Sequence, residues 1–194
     1  MFQIRIHGRG GQGVVSAAEM LSVAAFLEGK HAQAVPSFGS ERMGAPVVAF
    51  CRIDDQTIRL REPVLEPDIL VIQDPTLFNA IDVFNGLTDN GYLLINTSKS
   101  IKALGIENAI EHLPEGHVCI VPATEIALTH VKRPVPNAVL LGALSAVTDV
   151  IKIDSVIEAI ETKFPGKVGQ ANITAAKVAY EMAQTPTLKE AAHA

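Results

Sequence analysis

The stretch HGRGGQGVVSAAEM, His7–Met20, sits where one kind of periodicity gives way to another. Ahead of it Phe2, Ile4 and Ile6 alternate with Gln3, Arg5 and His7, and a period of two predicts a strand with one better-buried face. Behind it Val14, Ala17, Ala18, Leu21, Ala24, Ala25 and Leu27 recur at three and four, which predicts a helix from Gly13 to Lys30 that stops at Gly29. Strand, glycine-rich turn and helix open a Rossmann-like β-α-β unit. HAQAV (31–35) supplies its second strand, with a right-handed crossover expected.

The rest of the chain continues the alternation. VVAFCRI and TIRL flank the acidic turn Asp54-Asp55-Gln56 and read as a hairpin, which would make the sheet mixed. DILVIQD (68–74), GYLLINT (91–97) and HVCIVPA (117–123) are apolar runs of the kind buried on both faces of a sheet, each followed by helical pattern. Pro75 starts the first of those helices, with Asp74 read as the residue that opens it rather than as a catalytic group. After Pro136, NAVLLGALSAVTDVIK is apolar almost all round and predicts a helix packed on several sides. Ser155-x-x-Glu158 reads as a capping box, and a last helix spans Gly169 to Ala183. The expected fold is α/β, a three-layer α/β/α sandwich around a mixed, mainly parallel sheet.

Hydrophobic residues make up 48% and charged residues 19%, with no repeat or linker, so residues 1–184 read as one domain and 185–194 as a flexible tail. A net charge of −5 argues against nucleic acid as the main partner. No run is long enough for a membrane span and no secretory signal opens the chain, so the expected location is cytoplasmic. Cys51 and Cys119 lie in β-like runs without a CxxC, as buried small hydrophobes do, and two thiolates cannot hold an iron–sulfur cluster. The histidines show no metal spacing, and no Gly-x-Ser-x-Gly elbow is present. The sequence therefore offers no catalytic residue and no metal ligand of its own.

Gly8-x-Gly10-x-x-Gly13 has the spacing of a dinucleotide fingerprint, but KHAQAVPSFG (30–39) lacks the acid that would hold a ribose. No Lys-Ser/Thr follows the glycines, which excludes a P-loop. Gly8, Gly10, Gly11 and Gly13 still permit close backbone approach, and Gln12 adds an amide that both donates and accepts. Such a loop cradles an anion or a partner's backbone. A second polar loop, with Ser37, Gly39, Glu41 and Arg42, follows the second strand and falls on the same sheet edge. Arg42 suits a phosphate or carboxylate, against the simpler reading of a surface pair with Glu41. Asn137 reads first as the N-cap of the apolar helix.

Taken in order, GRGGQGVVSAAEML, SFGSERMGAPVVAFCRID, IR, EPDILVIQDPTL and NAVLLGAL resemble the gamma subunit of the 2-oxoacid:ferredoxin oxidoreductases, from about Phe2 to Asn172. Phe-Gly-x-Glu-Arg with Gly-Ala-Pro and an Arg-Ile-Asp strand is most similar to the pyruvate (pyruvate synthase) type, and Met43 is a departure from the pattern. The resemblance implies CoA-dependent oxidative decarboxylation of a 2-oxoacid to acyl-CoA, CO2 and reduced ferredoxin, with ferredoxin or flavodoxin as acceptor. It places thiamine diphosphate and magnesium between alpha and beta components and iron–sulfur clusters in a delta component. This chain, binding no cofactor alone and inactive in isolation, would present Gly8 to Gly13, Arg9 included, Ser37 to Gly44 and Asn137 to its neighbours and to a CoA channel. The 2-oxoglutarate, branched-chain and indolepyruvate branches remain open at this point. So do a pure scaffold, an NAD-binding reductase and a homodimer of the isolated chain.

Overall fold

The computed structural model describes residues 1–36 and 43–185. Its sheet has the strand order β2-β3-β1-β4-β5-β6, with β1 Phe2–Arg9, β2 His31–Pro36, β3 Pro46–Asp54, β4 Ile69–Ile72, β5 Tyr92–Asn96 and β6 Val118–Val121. β1 pairs parallel with β4, and β4, β5 and β6 continue parallel. β3 is antiparallel to β1 on one side, Phe2 facing Ile53, and to β2 on the other, His31 facing Asp54. The sheet is thus mixed and mainly parallel as expected, but not because of a hairpin at Asp54. Both edges of β3 are occupied, so residues 57–60 find no ladder and join no strand.

β1 also departs from its reading, because both of its faces are covered. Ile4 and Ile6 point into the larger core, while Arg5 and His7 on the other face are buried as well, Arg5 under the chain that connects β3 to β5 through β4. That connection has little regular structure, so its carbonyls need donors from elsewhere. The buried Arg5 guanidinium gives them to Val64, Leu65, Val83 and Asn85, and Arg52 gives them to Glu62 and Pro63.

Helices flank the sheet unequally. One face carries α1 Val14–Leu27, α4 Ala123–His130, α5 Asn137–Thr148, α6 Ile153–Lys163 and α7 Lys167–Gln184. Among the described residues, the other carries only a 3-10 turn, Pro75–Asn79, and two single-turn helices, α2 Ile101–Leu104 and α3 Glu107–Ile110, around Leu77, Ile101 and Ile110. The helices expected after β4 and β5 are therefore short, and Gly105 in the left-handed region ends α2 after one turn.

Two boundaries on the thick side also differ. α5 stops at Thr148, where Asp149 turns left-handed, short of the expected Lys152. No capping box starts α6; the amide of its N-cap, Lys152 N, donates to Glu28 Oε1 at 2.7 Å, and Ser155 hydrogen-bonds to the same carboxylate instead of capping its own helix. α7 begins two residues before the expected start and ends one beyond. Residues 186–194, most of the expected tail, lie outside the described residues.

Candidate functional site

The carboxyl ends of β1, β4, β5 and β6 share one edge of the sheet, where an α/β fold presents its loops. The glycine loop leaves β1 there and packs against Val14 and Asn137. Gly13 has φ 75°, and a Cβ on it would lie 2.4 Å from Asn137 Nδ2. A Cβ on Gly8 would meet Val14 Cγ2 at 2.6 Å. Two of the four glycines are therefore required by internal packing alone.

Asn137 is the first residue of α5 rather than its N-cap, which is Pro136. Its Oδ1 accepts from Ala138 N at 2.8 Å, so it still serves the first turn, one position late. The other end of the carboxamide reaches Gly13 O at 3.4 Å and brings the start of α5 against the glycine loop.

Gln12 and Arg9 are tied into a ring with two residues that follow β4. Gln12 Oε1 accepts from Arg9 N at 2.7 Å, and Gln12 Nε2 donates to Asp74 Oδ2 at 2.8 Å. Asp74 Oδ1 accepts from Thr76 N and Thr76 Oγ1, and the Thr76 hydroxyl accepts from Arg9 Nε and Nη2 at 3.1 and 2.8 Å. Arg9 Nε also lies 3.3 Å from Asp74 Oδ2. Burial alone would raise the Asp74 carboxyl, but hydrogen bonds from Thr76 and Gln12 and the charge of Arg9 outweigh it and hold it below its ordinary value. Asp74 opens the turn at Pro75, as read from the sequence. Its link to Gln12, across 62 residues, has no local signal.

Arg9 Nη1 donates to Gly44 O at 3.0 Å, Gly44 N to Gly10 O, and Gly10 N to Ala45 O. The backbone returning to β3 is thereby fastened to the glycine loop, with the exposed Met43 side chain beside Gly11. Ser37, Gly39, Glu41 and Arg42 lie outside the described residues. Of the described residues on either side of them, Pro36 pairs with Ala49 and Met43 with Gly10. Arg9, Gly10, Gly11, Gly13, Val14, Val15, Ser16, Met43 and Val47 line a cleft of about 410 Å³ at the N-terminus of α1, whose first turn has no side-chain cap. Across Gln12 lies a second, more polar cleft of about 290 Å³, bordered by Gln73, Asn96, Lys99, Thr124 and Glu125.

Other polar groups are buried without a chemical task in view. Burial, reinforced by Arg5, pushes the His7 imidazole down to about 4, and neither ring nitrogen has a partner among the described residues. Burial pushes the Cys51 thiol up to about 12, which makes it inert. Among the described residues no group of three or more His, Cys, Asp or Glu side chains is placed to hold a metal ion.

Fold and edge together define the class: an α/β protein with a Rossmann-like opening unit whose glycine loop is braced from within and borders an amide-lined cleft. The chain belongs to the pyruvate ferredoxin/flavodoxin oxidoreductase family, whose model matches residues 3–182, and within it is a gamma-type subunit of a multi-subunit oxidoreductase. It is 49% identical to the pyruvate synthase subunit PorC of Methanothermobacter marburgensis over 93% of this chain and 97% of that one. It is 48% identical to the common gamma subunit of the pyruvate and ketoisovalerate oxidoreductases of Pyrococcus furiosus, over 93% and 96%. The crystal structure of the pyruvate oxidoreductase subunit PORC of Thermotoga maritima matches with a TM-score of 0.76 and 40% identity, over 93% and 95%. A 2-oxoglutarate:ferredoxin oxidoreductase from Magnetococcus marinus, solved with coenzyme A bound, shares the fold at a TM-score of 0.69 and 16% identity; this chain spans 31% of it.

Proposed function

We propose that the chain is the gamma component of a pyruvate:ferredoxin oxidoreductase, assembled with alpha, beta and delta components. In this reading its glycine-loop edge faces the alpha and beta components and frames the CoA channel. The cleft at the start of α1 carries the proposal. There the backbone of Gly11, Gly13 and the uncapped first turn of a 14-residue helix borders open space beside Arg9. Unsatisfied amides and the positive end of a helix dipole suit a polyanionic ligand. Arg9 is committed to Thr76, Asp74 and Gly44 and so shapes the cleft; Arg42, two residues before Gly44 in the sequence, is the cation we assign to the ligand's phosphates.

In this reading thiamine diphosphate, magnesium and the iron–sulfur clusters are held by the neighbouring components. This chain's two cysteines are buried on different strands, and the described residues assemble no carboxylate or histidine ligand set. The carbon and electron chemistry belongs to the neighbouring components, with ferredoxin or flavodoxin taking the electrons. This chain binds and orients.

In the reconstituted complex, Arg42→Ala should raise KM for CoA on the order of tenfold, the loss of one charge-assisted contact. An unchanged KM with intact assembly overturns the CoA half of the reading. A scaffold role is favoured by one observation, that Gln12 spends both ends of its carboxamide inside the chain. Calorimetry of CoA binding to the complex separates the two, since a scaffold's loop substitutions leave the CoA affinity where it was.

A further inference from the structure

Asp74 makes more contacts than the start of a 3-10 turn requires. Capping uses one carboxylate oxygen, and Oδ1 supplies it to Thr76. Oδ2 is given to the glycine loop instead, accepting from Gln12 Nε2 at 2.8 Å and facing Arg9 Nε at 3.3 Å. Gln12 passes the constraint to the backbone through Arg9 N, and the Arg9 guanidinium passes it to Gly44 O. Gly10 is bonded in turn to Gly44 and Ala45. One carboxylate oxygen thus fixes both the loop that leaves β1 and the backbone that returns to β3.

We propose that Asp74 is the positioning residue of the cleft, holding the loop of residues 10–13 and the backbone of 43–45 in place so that the amides of Gly11 and Gly13 meet an anionic ligand. The proposal rests on the reading that this cleft receives CoA. A carboxylate is needed because the groups around Oδ2 are donors. An amide at 74 would cap the turn equally well with its oxygen but would turn an NH2 group toward the Gln12 NH2 and the Arg9 guanidinium.

Asp74→Asn therefore separates capping from positioning, and the assembled complex is the material to test. Hydrogen exchange at residues 10–13 and 44–45 should accelerate, and KM for CoA should rise on the order of tenfold while the loss spares kcat. The reciprocal pair Asp74→Asn with Gln12→Glu restores an acceptor between the two residues and should return exchange and KM toward the parent values. Unchanged exchange and unchanged KM in Asp74→Asn would make Asp74 a cap only and overturn the proposal. A defect that the reciprocal pair leaves unrepaired overturns it as well. Faster exchange with an unchanged KM supports the positioning role and places the failure in the CoA reading.

Discussion

At the scale of single residues, the polar side chains of β1 carry more than their positions announced. His7 is buried and its pKa is depressed from 6.5 to about 4, first by desolvation and then by Arg5. The unfolded chain binds a proton at His7 below pH 6.5 that the fold does not take up until near pH 4. The neutral imidazole thus contributes its full share of stability above pH 6.5, and that share is lost as pH falls toward 4. Chemical denaturation at pH 7 and pH 4.5 should show a drop of up to about 3 kcal/mol from this group. His7→Gln should flatten that slope, and a slope equal to the parent's would remove His7 as its source. Asp74 bears the same sign further into acid: its lowered pKa keeps the ring with Gln12 and Arg9 intact until pH falls below the ordinary carboxylate range.

At the scale of elements, what was legible was what is local. β4, β5 and β6 are short apolar runs, and α1 declares itself by its periodicity and by Gly29. TIRL alternates as a strand does, but alternation marks faces and says nothing of a free edge, and β3 had none to give. Ser155-x-x-Glu158 has the composition of a capping box, yet Glu28 takes the position, accepting from Lys152 N across 124 residues. The glycine loop was readable as a strand-to-helix turn open to close approach. That Asn137 and Asp74 are what approach it was not, because contacts across such separations leave no pattern in sequence. Gly142 makes the same point for packing, since nothing near it announces α7. A Cβ there would lie 2.0 Å from Ala176 O, a backbone atom that only a shift of α7 can move. Gly142→Ala should cost about 1–3 kcal/mol by forcing the two helices apart, read as a lower denaturation midpoint at constant slope.

At the scale of the whole molecule, the sheet separates a large core from a small one, and the large one depends on the end of the chain. Ile4, Ile6, Val71 and Leu94 share that core with Val139, Leu140, Ala176 and Ala179 of α5 and α7. A chain ending at Pro136 keeps every strand, α1 and α4 but strips α5, α6 and α7 from that face of the sheet. It should bind a hydrophobic dye and lose amide protection in β1 and β4, and native-like protection in the truncated chain would show that the smaller core suffices.

Two of the ties that hold α1 share a spacing. Its start is held by Asn137 against Gly13, and its end by Lys152 against Glu28, each across 124 residues. On the ribosome, the loop that shapes the cleft is therefore made near the beginning of synthesis and acquires both supports only when α5 and α6 have emerged.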